Sequence, residues 1–161
     1  FQLQQDWDVS EFDAMYTFYY SGFNMRSTDL QAYIGLTQID KLRDWGKRRE
    51  KNFHLYNELI KNDYWKVKSK PDCLESNFAY PIIHPKRDEI VKTLTSNNVE
   101  VRPMICGSMG TQPFYVKKYG ELKLPNVSII DEYGFYVPNN PKLTKEEVSF
   151  ISGLVNEIIN E

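Results

Sequence analysis

The sequence predicts a single domain of the α+β class. Three features support this prediction: a long helical stretch from Leu30 to Ile60, a middle region in which β-rich segments flank one helix, and an amphipathic closing helix. The 161 residues are enough for one domain with a hydrophobic core and too few for two ordinary domains. Hydrophobic residues make up 41% and charged residues 26%, which is typical of a soluble globular protein.

The long helix is predicted from its start signal and from its apolar spacing. Ser27, Thr28 and Asp29 are favoured N-terminal capping residues, and an acid there suits the helix dipole. Gly35 and Gly46 weaken the helix, so each is expected at a close packing contact or a bend. The apolar residues recur on one helical face, which we assign to the core: Ile34, Leu42, Trp45, Phe53, Tyr56 and Ile60.

The middle region is predicted to form a crossover unit. The segments "YWKVK" (64–68) and "NFAYPII" (77–83) read as strands, and "VEVRP" (99–103) reads as the next one. A second helix is expected to begin at His84 and Pro85, because proline is tolerated at the first helical position. Its buried side consists of Ile90, Val91 and Leu94. Two β segments joined by one helix indicate a crossover.

The last third of the chain is predicted to contain a short helix, one strand and the closing helix. A glycine-bearing loop leads into a helix around Pro113, and residues 123–141 read mostly as loop, with one possible strand at 134–137. Thr144 to Glu147 forms a capping box before the closing helix. Its apolar face consists of Val148, Ile151, Leu154, Val155, Ile158 and Ile159.

Composition argues against several classes of function. A net charge of -2 and a pI of about 5.8 are unsuited to a nucleic-acid binder. No apolar run approaches the roughly 20 residues of a membrane span. Two cysteines, Cys73 and Cys106, fit no metal spacing and favour a reducing, cytoplasmic location. No metal site is predicted, because the acidic run near the start reads as a solvated surface.

Two loops could bind an anion. Residues 21–26 ("SGFNMR") and 101–114 ("VRPMICGSMGTQPF") each combine glycine, arginine and polar groups with aromatic residues. Glycine lets backbone N–H groups approach an anion, and arginine offers a bidentate fork to phosphate or carboxylate. The alternative is that these are turn glycines beside surface arginines. The residues alone leave both interpretations open.

The segment "GFNMRSTDLQAYIGLTQIDKLRDWGKRREKNFHLYNELI" resembles the DegT/DnrJ/EryC1/StrS family of pyridoxal-phosphate enzymes that act on nucleotide-linked keto sugars. The resemblance continues in order through "SNFAYPII", "VEVRPMICGSMGTQPFY" and "GFYVPNNPKLTKEEV", from about Tyr16 to Glu161. It implies the C-terminal small domain of a fold-type I transferase, a small sheet covered by helices. The expected divisions are a lead-in and cofactor or substrate loop at 1–28, a long interdomain helix at 29–62 and a small α+β domain at 63–161.

The resemblance also implies roles for individual residues. Asn24 corresponds to the family asparagine that reaches the cofactor phosphate of the neighbouring subunit in a homodimer. The resemblance implies that the substrate is bound by Arg26, Arg102, Ser108 and Gln112. Ser108 stands where an asparagine is usual in the "R..faGN...QP" pattern of the sugar 3-dehydratases.

The implied function is the C-terminal part of a pyridoxal 5'-phosphate-dependent nucleotide-sugar aminotransferase in surface-polysaccharide or deoxyaminosugar biosynthesis. The alternatives are a sugar 3-dehydratase of the same family and a non-catalytic stand-alone binding module. In the family the Schiff-base lysine, or the histidine of the dehydratases, belongs to the large N-terminal domain. No catalytic residue is therefore predicted in this chain, and the fragment alone is expected to be inactive. The expected partners are a nucleotide sugar and a second subunit, with no nucleic acid and no membrane.

Overall fold

The computed structural model describes residues 2–6, 27–69, 72–105 and 107–160. The chain divides into two compact units, Phe1–Ile39 and Asp40–Glu161. Within the described ranges no helix is both long and apolar enough to cross a bilayer. The domain divisions at 28/29 and 62/63 stay a prediction.

The first unit contains α1 (Gln2–Asp6) and α2 (Asp29–Ile39). The predicted cap is present, since Gln31 N donates to Thr28 Oγ1 at 3.3 Å and Thr28 N donates to Gln31 Oε1 at 2.9 Å. No residue of α2 is buried, and Ile34, predicted to lie in the core, is 54% exposed. A Cβ added at Gly35 would meet nothing within 4 Å, so this glycine marks no close contact among the described residues.

The second unit opens with α3 (Leu42–Leu59). The continuous helix predicted from Leu30 to Ile60 is therefore wrong: Asp40 and Lys41 form a turn between α2 and α3. The apolar spacing runs on across this turn, which is why periodicity does not reveal it. Gly46 does mark a close contact, because a Cβ there would lie 3.0 Å from Leu74 Cδ2.

A three-stranded sheet lies at the centre of the second unit. The strands are β1 (Ala79–Ile83), β2 (Arg102–Pro103) and β3 (Gly134–Pro138), in the order β1-β3-β2. Both outer strands pair antiparallel with β3, so β1 and β2 run in the same direction. The helix α4 (Arg87–Ser96) joins them, which confirms the predicted crossover, with β3 inserted between its strands.

The segment 64–68, predicted as a strand, is not one. The side-chain oxygen of Asn62 accepts hydrogen bonds from Tyr64 N at 3.1 Å and from Trp65 N at 3.3 Å. These bonds fold the start of the segment back on itself and occupy amides that a sheet ladder would need. The Asx turn therefore replaces the strand.

The helix α4 begins at Arg87 and not at His84 and Pro85 as predicted. The residues from His84 to Arg87 form a turn before α4, in which Arg87 N donates to His84 O at 3.0 Å. Lys86 N donates to His84 Nδ1 at 3.1 Å. The His84 imidazole thus accepts a hydrogen bond from the backbone amide of Lys86, the residue directly before the helix. Ile90 and Leu94 are buried as predicted.

After β2 come a 3₁₀ turn (Met109–Thr111), α5 (Pro113–Tyr119) and α6 (Pro125–Tyr133). The short helix around Pro113 is confirmed, but α6 lies in a region predicted as loop. Pro125 supplies the first position of α6, and no residue of α6 is buried. The closing helix α7 (Lys145–Ile159) and its capping box are confirmed.

The core lies between one face of the sheet and the helices α3, α4 and α7. Alternate strand residues point into it, and the closing helix contributes its predicted apolar face. The buried cluster consists of Phe53, Tyr56, Ile60, Tyr80, Ile82, Ile90, Leu94, Phe135, Val137, Val148, Ile151 and Val155. The opposite face of the sheet is the one that remains accessible to a ligand.

Candidate functional site

Strand alternation sets which residues face away from the core. In β3, Phe135 and Val137 are buried in the core cluster, so Tyr136 between them points to the opposite face. The register sets Tyr136 opposite Pro81 on β1 and opposite Arg102 on β2. Directly opposed residues share a face, so an arginine and an aromatic ring meet there.

These side chains form a groove of about 280 Å³, called here the sheet groove. The exposed ring of Phe78 packs edge-on against Tyr136, with centroids 5.7 Å apart and planes at 78°. The lining residues are Phe78, Ala79, Glu100, Arg102, Tyr136, Pro138 and Asn140. The groove therefore combines an aromatic pair with a charged pair.

Arg102 is held by Glu100. Its Nε donates to Glu100 Oε1 at 2.9 Å, and its Nη2 donates to the same oxygen at 2.6 Å. This hydrogen bond, and then the charge of the carboxylate, raise the pKa of Arg102 above its ordinary value. Arg102 is thus a fixed cation that leaves part of its guanidinium fork for a ligand.

A second groove of about 410 Å³ continues from the first and is mostly apolar. It shares Phe78, Ala79 and Tyr136 with the sheet groove and extends toward Met104, Ile105 and Ile130. Ile105 is 66% exposed. This part of the surface can accept apolar atoms but offers few groups for polar recognition.

The loop after β2 holds two other predicted site residues, and it is tightly built. Gly107 has φ 51°, and a Cβ there would overlap the carboxylate of Asp131. Ser108 is buried, and its carbonyl accepts from Thr111 N at 3.2 Å and from Thr111 Oγ1 at 3.0 Å. Gln112 is half-buried, and its carbonyl accepts the first amides of α5.

Three of the five predicted site residues, Arg102, Ser108 and Gln112, lie in the described parts of the chain. Asn24 and Arg26 lie outside the described residues. Arg102 lines the sheet groove, whereas Ser108 and Gln112 line none of the grooves described here. Their role in substrate binding stays a prediction.

Sequence reasoning missed Glu100, Phe78 and Tyr136 as members of this site. One signal each could have found Glu100 and Tyr136, whereas Phe78 has no such signal in the sequence. Glu100 lies two residues before Arg102 in an extended segment, so both side chains point the same way. Tyr136 sits between two core residues of a strand, which predicts an outward ring.

Pyridoxal phosphate needs a lysine, an acid for the pyridine nitrogen and a stacking ring. The groove richest in lysine, of about 800 Å³, lies between α3 and the start of α7 and includes Lys47, Lys51 and Lys145. It also contains Glu50 and Glu58, and no Phe, Tyr or Trp lines it. The described residues that line this groove thus do not fit the cofactor. The expectation that the cofactor lysine lies outside this chain stays a prediction.

Comparison with known proteins identifies the relatives of this chain. It is 26% identical over 151 residues to the lipopolysaccharide biosynthesis protein RfbH of Salmonella typhimurium, covering 87% of this chain and 34% of that protein. It is 27% identical over 143 residues to the GDP-perosamine synthase of Escherichia coli O157:H7, covering 87% of this chain and 38% of the relative. The chain thus spans little more than a third of the length of these relatives.

The fold agrees with that of solved enzymes. A crystal structure of GDP-4-keto-6-deoxymannose-3-dehydratase with a trapped pyridoxal phosphate–glutamate geminal diamine superposes with a TM-score of 0.69 at 21% identity, covering 91% of this chain and 40% of that one. The sequence profile of the DegT/DnrJ/EryC1/StrS aminotransferase family matches residues 5–156. This chain therefore belongs to the DegT/DnrJ/EryC1/StrS aminotransferase family.

Proposed function

We propose that this chain is the C-terminal part of a pyridoxal-phosphate-dependent aminotransferase acting on a nucleotide-linked keto-deoxysugar, in the cytoplasm. The observation that supports the proposal most is the unbroken family match over residues 5–156 in a chain that spans only 34% and 38% of two relatives. The remaining length of the complete enzyme would supply the cofactor lysine.

In this proposal the chain binds and orients, and other residues carry the chemistry. Bound pyridoxal phosphate supplies the electron sink for removing a proton next to nitrogen. Asn24 would hold the cofactor phosphate of the neighbouring subunit, and Arg26, Ser108 and Gln112 would contact the sugar nucleotide. Arg102, fixed by Glu100 at the sheet groove, offers a donor fork to the same substrate.

We also propose that the complete enzyme is a homodimer. The helix α2 supports this, because in its own unit it leaves its apolar side chains exposed and carries a charge only at Asp29. A helix that is apolar on all sides is normally buried in the assembled protein. The exposed residues are Leu30, Tyr33, Ile34, Leu36 and Ile39.

Two other functions are supported by specific observations. A sugar 3-dehydratase is favoured by the arginine-to-glutamine pattern from Arg102 to Gln112, which resembles that subgroup. A stand-alone binding module is favoured by the second unit, which has a core of its own. The decisive difference is whether a lysine, a histidine or no catalytic residue precedes this chain in the gene product.

The test is to read the coding sequence upstream of Phe1 and to express the whole reading frame. Purified protein is then incubated with pyridoxal phosphate, L-glutamate and 4-keto-6-deoxysugar nucleotides of several bases, and the sugar products are identified by mass spectrometry. An aminotransferase replaces the keto oxygen by an amino group, whereas a 3-dehydratase removes the 3-hydroxyl.

Each outcome decides between the proposals. An upstream lysine and an amino-sugar product support the aminotransferase. An upstream histidine and a 3-deoxy product support the dehydratase instead. A start codon directly before Phe1, with no sugar product, contradicts both and favours the binding module.

A further inference from the structure

The sheet groove suits a neutral planar ligand better than an anion. The side chains of Arg102 and Glu100 are 66% and 70% exposed, and their opposite charges cancel. A diphosphate placed against Arg102 would also meet the carboxylate of Glu100, which repels it. A heterocyclic base carries no net charge and can use both residues as hydrogen-bond partners.

The aromatic pair provides the surface on which a base can stack. Phe78 is 60% exposed, and its edge-on packing against Tyr136 fixes the ring while leaving it accessible. Stacking on exposed rings is the usual way in which proteins bind an unpaired base. The groove volume of about 280 Å³ is at the lower end of ligand pockets, so it fits one part of a nucleotide sugar and not all of it.

The polar groups of the groove favour one base. Glu100 Oε1 holds Arg102, while Oε2 accepts no hydrogen bond from any described residue, and Arg102 Nη1 donates to none of them. The groove thus offers a carboxylate that only accepts and, beside it, a guanidinium that only donates. Guanine presents the matching edge, with two adjacent donors at N1 and the 2-amino group next to the acceptor O6.

We propose that the sheet groove binds the guanine base of a nucleotide-sugar substrate, with Glu100 selecting guanine through N1–H and the 2-amino group and Arg102 donating to O6. The proposal rests on the proposed function for the presence of a nucleotide, and it adds the identity of the base. Uracil and thymine have one donor on this edge, between two acceptors. Adenine has a single donor group there, so one carboxylate oxygen would lose its partner.

The test is a binding comparison with matched ligands and matched variants. GDP is titrated into the 161-residue chain alongside inosine diphosphate, which differs only in lacking the 2-amino group, and alongside UDP. Binding is followed by calorimetry, and the groove is located by NMR shifts of Phe78 and Tyr136. Glu100→Gln removes one acceptor, and Glu121→Gln is the control, because Glu121 pairs with Lys123 at 3.2 Å and does not line the groove.

We expect GDP to bind at least about fivefold more tightly than inosine diphosphate or UDP, which is the lower end of the range for one bidentate base contact. In Glu100→Gln the ratio of the GDP affinity to the inosine diphosphate affinity should fall toward one. In Glu121→Gln this ratio should equal that of the wild-type chain. Phe78→Ala should weaken both purine ligands equally, since it removes stacking and no hydrogen bond.

Equal binding of GDP and inosine diphosphate, an unchanged ratio in Glu100→Gln, or no saturable binding of GDP would overturn the inference. Its failure is separable from failure of the proposed function. An active full-length enzyme that shows no base preference keeps the function and removes the guanine site. Selective GDP binding by a protein that leaves every sugar unchanged keeps the guanine site and contradicts the proposed function.

Discussion

Tyr56 and Tyr80 bring two hydroxyl groups into the hydrophobic core, and each hydroxyl has a partner. Their rings stack with centroids 4.8 Å apart. Tyr56 Oη donates to Pro138 O at 3.0 Å, and Tyr80 Oη donates to Asn57 Oδ1 at 2.7 Å. A buried hydroxyl without a partner would cost stability, so these bonds specify how α3 meets the sheet.

Burial of these two tyrosines makes the free energy of unfolding depend on pH. It raises the pKa of Tyr80 to about 12, and it also raises the pKa of Tyr56. An unfolded tyrosine ionises near pH 10, so between about pH 10 and 12 the folded chain binds more protons than the unfolded chain. The stability linked to these protons is complete below pH 10 and is lost as pH rises through the folded pKa.

We expect Tyr80→Phe to reduce the steepness with which the free energy of unfolding falls above about pH 10. The slope should not vanish, because Tyr56 still contributes. At neutral pH the variant should lose about 1 kcal/mol through the missing hydrogen bond to Asn57. Urea unfolding at several pH values measures both effects, with the exposed Tyr33→Phe as control; equal slopes for Tyr80→Phe and wild type would contradict this account.

Glycine is required at position 134 because the backbone of Ile130 lies too close to leave room for a side chain. A Cβ there would overlap the carbonyl oxygen of Ile130 and lie 2.7 Å from Met104 Cγ. Gly134→Ala should therefore lower the free energy of unfolding by about 1 to 3 kcal/mol, as overpacking does. Thermal or urea unfolding measures the change.

Gly153 is the matched control for Gly134. It lies in α7, where an added Cβ meets nothing within 4 Å. Gly153→Ala should raise the free energy of unfolding by up to about 1 kcal/mol through helix propensity. Equal effects of the two substitutions would show that steric overlap at Gly134 is not what requires glycine there.

At the scale of elements, the sequence predicts best those segments that combine two independent signals. α7 has a capping box and an amphipathic face, and the structure contains it at the predicted place. β3 has alternation and a glycine at its start. By contrast, α6 has only nine residues, buries none of them and begins without a side-chain cap. The segment 64–68 has strand propensity, but the Asn62 side chain occupies its amides.

The same reasoning explains what could be predicted of the site. Arg102 was found because the glycine-bearing loop and the family resemblance both point to it. Its partners depend on contacts that are distant in sequence, since Tyr136 lies opposite Arg102 through strand pairing and Phe78 packs against Tyr136. Phe78 belongs to no local motif. The alternation of β3 predicts that the Tyr136 ring points outward, but only the strand pairing shows that it lies beside Arg102.

The capping box of α7 makes a prediction for this element. Glu147 N donates to Thr144 Oγ1 at 3.2 Å, and Thr144 N donates to Glu147 Oε2 at 2.7 Å. Thr144→Ala leaves the Glu147 amide without its cap and should cost about 1 kcal/mol of unfolding free energy. Thr144→Ser keeps the hydroxyl and should retain most of the stability. Equal losses in the two variants, measured by urea unfolding, would mean that the hydroxyl is not what stabilises the helix start.

At the scale of the whole molecule, the two units differ in how well they bury their apolar residues. The second unit encloses a core between its helices and sheet. The first unit leaves the apolar side chains of α2 exposed. Apolar surfaces of this kind generally belong to contacts with other polypeptide, which agrees with the proposal that the chain is one part of a larger dimeric enzyme.

If the cofactor lysine lies outside this chain, pyridoxal phosphate should form no stable aldimine with it. The purified 161 residues, incubated with the cofactor and then dialysed, should therefore show no visible absorption band. Surface lysines react reversibly with the aldehyde, and dialysis removes those adducts. The sharpest control replaces the lysines of the groove between α3 and α7 in a Lys47→Arg, Lys51→Arg, Lys145→Arg variant. A band that survives dialysis in the wild-type chain and disappears in this variant would place a cofactor site within these residues and contradict the proposed division of labour.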